Sequence, residues 1–94
     1  MSSLDKIVEI ERSINIYRTS DNGLVEEIII EIPLDKLKEI VPPKEEDPEL
    51  YEAYVLSGEQ LDKINLLLEK KILPDFTQFF YALEAAGIYD WSAN

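Results

Sequence analysis

Residues 7–32 read IVEIERSINIYRTSDNGLVEEIIIEI, and apolar and polar residues alternate in both halves of this stretch. In residues 7–19 the main apolar side chains share one parity: Val8, Ile10, Ile14 and Ile16. A period of two is typical of a β-strand with one buried and one solvated face. Residues 24–32 alternate in the same way, with three isoleucines on the apolar side: Ile28, Ile30 and Ile32. The stretch therefore predicts an antiparallel β-hairpin.

The turn of this hairpin lies at residues 21–23, Asp-Asn-Gly, a composition typical of tight turns. A two-residue turn would place Ile14 opposite Glu31, which is an unfavourable pair on a buried face. A three-residue loop with Gly23 in the left-handed conformation gives a more favourable register. Its cross-strand pairs are Ile14 with Ile30, Ile16 with Ile28, and Arg18 with Glu26. We expect this second register.

Two helices are predicted after the hairpin. Pro33 suits a first helical turn, and residues 34–41 have helical apolar spacing before Pro42 and Pro43 end the helix. The second helix begins at Ser57, which forms a capping-box pattern with Gln60. Its apolar stripe and its C-terminal bases are Leu61, Ile64, Leu67 and Leu68, and Lys70 and Lys71. Between the helices, residues 44–52 are predicted to be an acidic linker, and residues 51–56 a short strand.

The last segment, residues 76–86, permits two interpretations. Phe76, Phe79, Phe80 and Leu83 have helical spacing, with Asp75 as N-cap and Gly87 as stop. Phe79, Tyr81 and Leu83 also alternate as in a strand, but we favour the helix. The whole chain, residues 1–94, is then one α+β domain, in which a small antiparallel sheet led by the N-terminal hairpin packs against two or three helices.

Composition argues against several classes of function. The net charge is −11, so the surface repels nucleic acid and anionic lipid and attracts basic partners. The chain has no Cys and no His, which excludes disulfides, thiolate nucleophiles and Cys/His zinc sites. Neither a signal peptide nor an apolar run of about 20 residues is visible. We therefore expect a cytoplasmic protein that binds neither nucleic acid nor membrane.

Catalysis is not expected either. Neighbouring carboxylates such as Glu26 and Glu27 lie on predicted turns and solvated faces, whereas glycosidase chemistry requires one carboxyl group with a pKa raised by burial. An EF-hand is not indicated, because residues 44–52 lack the central Gly and contain Pro48. The serines have no candidate base. We expect no enzyme activity, no cofactor and no metal.

Two features are candidates for partner recognition. The first is the acidic segment with interleaved tyrosines, whose candidate partner-binding residues are Glu45, Glu46, Asp47, Glu49, Tyr51, Glu52 and Tyr54. Tyrosine beside carboxylates combines contact area with charge steering, which suits a basic protein. The second is Trp91 near the C-terminal end, which is either a core residue or an interface anchor.

Three stretches, together with the small size of the chain and its lack of a catalytic set, resemble the acidic bacterial immunity proteins encoded beside polymorphic toxins. The stretches are RTSDNGLVEE (18–27), DPELYEAYVLS (47–57), which leads into a helix carrying EQL (59–61), and FFYALE (79–84). The resemblance implies an immunity protein that binds a cognate toxin and neutralises it by occlusion. With the charge, it leads us to expect a basic toxin domain as the partner. Two alternatives are a nucleic-acid-mimicking inhibitor encoded by a phage or plasmid, and a non-catalytic subunit of an assembly.

Overall fold

The computed structural model describes residues 7–89 of the chain. These residues form four strands and two helices. In chain order they are β1 (Ile7–Arg18), β2 (Leu24–Ile30), α1 (Leu34–Ile40), β3 (Tyr54–Val55), α2 (Gly58–Asn65) and β4 (Phe79–Tyr89). The strands form one antiparallel sheet in the order β2-β1-β4-β3. The predicted α+β class, with a sheet led by the N-terminal hairpin, is confirmed.

The predicted C-terminal helix is wrong, because residues 79–89 form the strand β4. β4 pairs with β1 along almost its whole length, from Arg18 opposite Phe79 to Ile7 opposite Tyr89. This pairing satisfies the backbone amide and carbonyl groups on the side of β1 that faces away from β2, which would otherwise lack strand partners. The carboxylate of Asp75 caps a turn before the strand, where it accepts hydrogen bonds from Thr77 and Gln78. Long-range pairing therefore outweighs the helical spacing of the phenylalanines.

The predicted hairpin register is shifted by two residues. Ile14 lies opposite Ile28, and Ile16 lies opposite Glu26. The reason is the loop, which is closed by the pair of Arg18 with Gly23 and followed by an irregularity between Ile16 and Tyr17. Asn22, not Gly23, takes the left-handed conformation, with φ of 60°. Because the shift is by an even number, the same side chains still face the core.

The core lies between one face of the sheet and the helices. Its fully buried side chains come from both layers: Ile14, Leu37, Leu50, Leu61, Ile64, Tyr81 and Leu83. The capping box of Ser57 and Gln60 is confirmed, with both of its hydrogen bonds present. Lys71 donates to the carbonyl oxygen of Asn65, the last residue of α2, and to that of Leu68 beyond it, as expected for a base near a helix C-terminus. Neither α1 nor α2 is long and apolar enough to cross a bilayer.

Candidate functional site: the outer face of the sheet

The two faces of the sheet differ in chemistry. The inner face carries Ile14 and Ile16 of β1 and belongs to the core. Side chains of the opposite parity define what we call the outer face. Its members in the strands are Glu9, Glu11, Ser13, Asn15 and Tyr17 of β1, Leu24, Glu27 and Ile29 of β2, Val55 of β3, and Phe80, Ala82, Glu84 and Ala86 of β4. Ser13, Asn15 and Ala82, at the centre of this face, are buried, whereas none of its other members belongs to the hydrophobic core cluster.

The outer face carries negative charge and, within residues 7–89, no base. Four carboxylates lie on it, those of Glu9, Glu11, Glu27 and Glu84. Of the nine Lys and Arg residues, only Lys6 lies outside residues 7–89, and none of the others is on the outer face. Among the ion pairs within residues 7–89, none involves an outer-face carboxylate. The charge of this face is therefore not neutralised by neighbouring bases in the described part of the chain.

A chain of hydrogen bonds crosses the centre of the outer face. Ser13 Oγ donates to Asn15 Oδ1 at 2.7 Å, and Asn15 Nδ2 donates to the Tyr17 hydroxyl at 3.4 Å. The Tyr17 hydroxyl donates in turn to Oε2 of Glu84. This last bond raises the pKa of Tyr17, and the bond from Asn15 partly opposes the rise. The network holds the Glu84 carboxylate in place on β4 beside the Tyr17 ring.

Aromatic and aliphatic surface lies next to these carboxylates. The ring of Tyr17 stacks on the ring of Phe80, with centroids 5.1 Å apart and an interplanar angle of 17°. Ile29 and Val55, on the two edge strands, are 46% and 68% exposed. Ring faces and carboxylates both attract Lys and Arg side chains, and the alkyl parts of such side chains pack on apolar surface. The outer face is thus chemically suited to a basic protein surface.

The acidic segment predicted as a partner site is a folded loop, not a solvated linker. Asp47 is buried and accepts three hydrogen bonds, from the amides of Tyr51 and Glu52 and from the Tyr54 hydroxyl. Burial raises the pKa of Asp47, but these hydrogen bonds, led by that from Glu52, outweigh burial and leave the pKa below its usual value. The Tyr54 hydroxyl also accepts from the amide of Lys44. Asp47 and Tyr54 therefore have a structural role within the loop.

Two other acids of this loop are paired, and a base from the sheet holds its backbone. Oε2 of Glu49 lies 3.4 Å from Nζ of Lys38, and Oε1 of Glu52 lies 3.5 Å from Nζ of Lys44. Arg12 of β1 donates a hydrogen bond of 2.7 Å to the carbonyl oxygen of Glu49. Its guanidinium also lies over the exposed ring of Tyr51, at 5.9 Å from the centroid.

Glu45 and Glu46 are the exposed acids of this loop that form no ion pair within residues 7–89. The structure thus brings most of the sequence-predicted residues together in one loop. Asp47 and Tyr54 form hydrogen bonds within the fold, and Glu49 and Glu52 form ion pairs with lysines. Trp91 lies outside the described residues. A partner-binding role remains a prediction for all eight candidates: Glu45, Glu46, Asp47, Glu49, Tyr51, Glu52, Tyr54 and Trp91.

The outer face was missed because it depends on β4. Glu9, Glu11, Ser13 and Asn15 were visible in the sequence as one polar parity of β1, and this parity indicated only a solvated face. Glu84 and Phe80 join that parity only when residues 79–89 pair with β1. The alternation of Phe79, Tyr81 and Leu83 was the signal that could have led to this face.

Within residues 7–89, no group of three or more carboxylates is placed to hold a metal ion. The described fold and its outer face together define a small α+β domain with one acidic, partly apolar open sheet face. The chain belongs to the family described as domain of unknown function DUF7683, whose family model matches residues 11–84. No curated protein and no solved structure shows significant similarity to the chain.

Proposed function

We propose that the chain is a non-catalytic binding protein that docks a basic protein on its outer face and thereby neutralises it. The observation that carries this proposal is the set of four outer-face carboxylates without a base on the same described face. A face of one charge speeds the arrival of a partner of opposite charge, which is the property that a rapid inhibitor requires.

The apolar members of the face supply what charge alone does not. Complementary charge mainly raises the association rate, whereas slow dissociation depends on well-packed buried contacts. Tyr17, Phe80 and Ile29 lie among the carboxylates and provide such contact surface. A basic partner that covers these side chains would desolvate Glu84 and Glu27 at the same time, which favours Lys and Arg opposite them.

The role of this binding is that of an immunity protein, and the partner is a cognate basic toxin domain of the same cell. The acidic composition and the resemblance of three stretches of the sequence to immunity proteins support this finer assignment. The arrangement of the carboxylates favours an immunity protein over a nucleic-acid-mimicking inhibitor. Along β1, the two glutamates are followed by Ser13, Asn15 and Tyr17, so the face lacks a continuous row of charges spaced like phosphates.

The test uses the product of the neighbouring gene as partner. The chain is mixed with that protein at about 50 mM and about 500 mM salt, because exposed charge pairs weaken as salt shortens the screening length. We expect a complex at low salt whose association slows at high salt. Absence of a complex at both concentrations would overturn the proposal.

Two variants of equal charge locate the interface. The first, Glu9→Gln with Glu11→Gln and Glu27→Gln, removes three outer-face charges. The second, Asp35→Asn with Glu39→Gln and Asp62→Asn, removes three exposed charges from the helices. We expect the first to slow association about tenfold and the second by less than about twofold. Equal slowing by both variants would show that only the net charge matters and that the outer face is not the interface.

The acidic loop is tested in the same assay. Replacement of Glu45 and Glu46 by Gln leaves the buried Asp47 and its hydrogen bonds intact. If the loop is a second contact surface, this variant slows association more than it speeds dissociation. Unchanged association would restrict the interface to the sheet.

A further inference from the structure

One edge of the sheet is long and open in the described structure. In the strand order β2-β1-β4-β3, β2 pairs with β1 on one side and has no strand partner on the other within residues 7–89. The opposite edge strand, β3, has only two residues, which is a common way to prevent edge pairing. β2 spans seven residues, Leu24–Ile30, and so presents a row of backbone amide and carbonyl groups.

β2 has two glutamates and an irregularity opposite Ile16 and Tyr17, but it lacks other features that protect edges. It contains neither Lys nor Pro, and Leu24, Val25 and Ile29 are about half exposed. Beside it, on the inner side of the sheet, lies a groove of about 510 Å³ between β2 and the segment that follows α2. The apolar members of its lining include Ile28, Ile32, Leu67 and Leu68. A strand added to β2 would place alternate side chains in this groove and the others on the outer face.

Charge decides between a second copy of the chain and a different partner. An antiparallel pair of β2 strands centred on Glu27 would place the two Glu27 side chains opposite each other, and like charges in that position destabilise a sheet. It would also join two acidic outer faces of chains whose net charge is −11 each. A strand with Lys or Arg on the outer side meets the opposite sign at Glu27.

We propose that the open edge of β2 accepts an extended segment of the basic partner as an additional strand. Lys or Arg side chains of that segment lie beside Glu27 on the outer face, and its alternate apolar side chains enter the groove next to Ile28 and Leu68. This inference rests on the proposed function for the charge of the partner, and it adds the mode of binding and the pattern of the segment.

The test uses the full chain and a blocked peptide of about ten residues in which Lys and Val alternate, a length that covers an edge of this size. Binding is measured by calorimetry, and its location by the NMR shifts of the β2 amides. Two further peptides are N-methylated, one at all Lys residues and the other at all Val residues. In a strand, the amides of every second residue point to the same neighbouring strand. Either the Lys amides or the Val amides therefore face β2, and only the peptide methylated at that set loses its hydrogen bonds to β2.

We expect the unmodified peptide to shift the β2 amides, and one N-methylated peptide to bind at least about tenfold more weakly than the other. Exchange of Lys for Glu in the unmodified peptide abolishes binding, and Glu27→Gln weakens it. Equal binding by the two N-methylated peptides, or no shift of the β2 amides, overturns strand addition. Because the Glu9, Glu11 and Glu27 variant is tested with the neighbouring protein, docking on the outer face can survive the failure of this inference.

Discussion

The Tyr17 hydroxyl on β1 donates a hydrogen bond to the Glu84 carboxylate on β4. The two residues are 67 positions apart in sequence, so the bond forms only when the C-terminal strand pairs with the N-terminal one. It connects the part of the fold that local patterns predicted to the part that they did not. It also places a phenol and a carboxylate at the centre of the outer face.

Replacement of Glu84 by Gln should lower the pKa of Tyr17. The hydrogen bond to the carboxylate is the main cause of the raised pKa, and a neutral amide favours the protonated phenol less. The measurement is a titration followed by the ¹³Cζ NMR signal of Tyr17. Glu27→Gln is the control, because Glu27 acts on Tyr17 through charge alone and contributes least. A larger shift in the control would contradict the observed hydrogen bond.

Asp47→Asn should destabilise the fold at neutral pH, and this loss should shrink in acid. The folded-state pKa of Asp47 is lowered, so its contribution to stability is fully present above the unfolded value of about 3.9 and is lost as pH falls through the lower folded pKa. Urea denaturation of both proteins at pH 7 and pH 2.5 measures the difference. An equal difference at the two pH values would show that the charge of Asp47 contributes nothing.

Leu83→Ala should cost about 2–5 kcal/mol of unfolding free energy, the range typical of a fully buried leucine. Leu83 is 1% exposed on the inner face of β4, where it lies between Ile14 and Tyr54. The matched control is Leu66→Ala, at a residue 80% exposed, which should change stability by less than about 0.5 kcal/mol. Denaturant unfolding gives both values. Similar costs at the two positions would place Leu83 outside the core.

The hairpin loop should tolerate changes at Gly23 better than at Asn22. Asn22 has φ of 60°, so Asn22→Ala should cost about 1 kcal/mol, while Asn22→Gly should be close to neutral. A Cβ at Gly23 would meet the end of the Arg18 side chain, which can move, and Gly23 has no positive φ to strain. Thermal unfolding of the three variants ranks them. A greater loss for Gly23→Ala would favour the register expected from the sequence.

The elements that the sequence predicted correctly depend on neighbouring residues. The hairpin follows from alternation in residues 7–32, α1 from Pro33 and the apolar spacing after it, and α2 from the capping box at Ser57. Each of these signals lies within a short stretch of consecutive residues. The register failed because Asn and Gly can both take the left-handed conformation, and their order along the chain does not say which of them does.

The missed elements depend on contacts between distant residues. The aromatic segment around Phe80 has both helical and strand spacing, and the choice is made by the open side of β1 far away in sequence. Asp47 looked like one acid among several, but a turn of the loop aims two amides and the Tyr54 hydroxyl at its carboxylate. Charge counts cannot distinguish such a buried carboxylate from exposed ones such as Glu45.

Docking on the outer face requires the negative potential of this protein to be stronger there than elsewhere on its surface. Paramagnetic relaxation of side-chain protons by a cationic and by an anionic nitroxide measures the local potential at each position without any partner. The methyl groups of Ile29, Val55 and Ala86 report on the outer face, and those of Leu66 and Leu73, which are exposed elsewhere, are the reference. We predict a potential more negative at the first set, reduced by Glu9→Gln with Glu11→Gln and Glu27→Gln. Equal potentials at the two sets would contradict docking on the outer face.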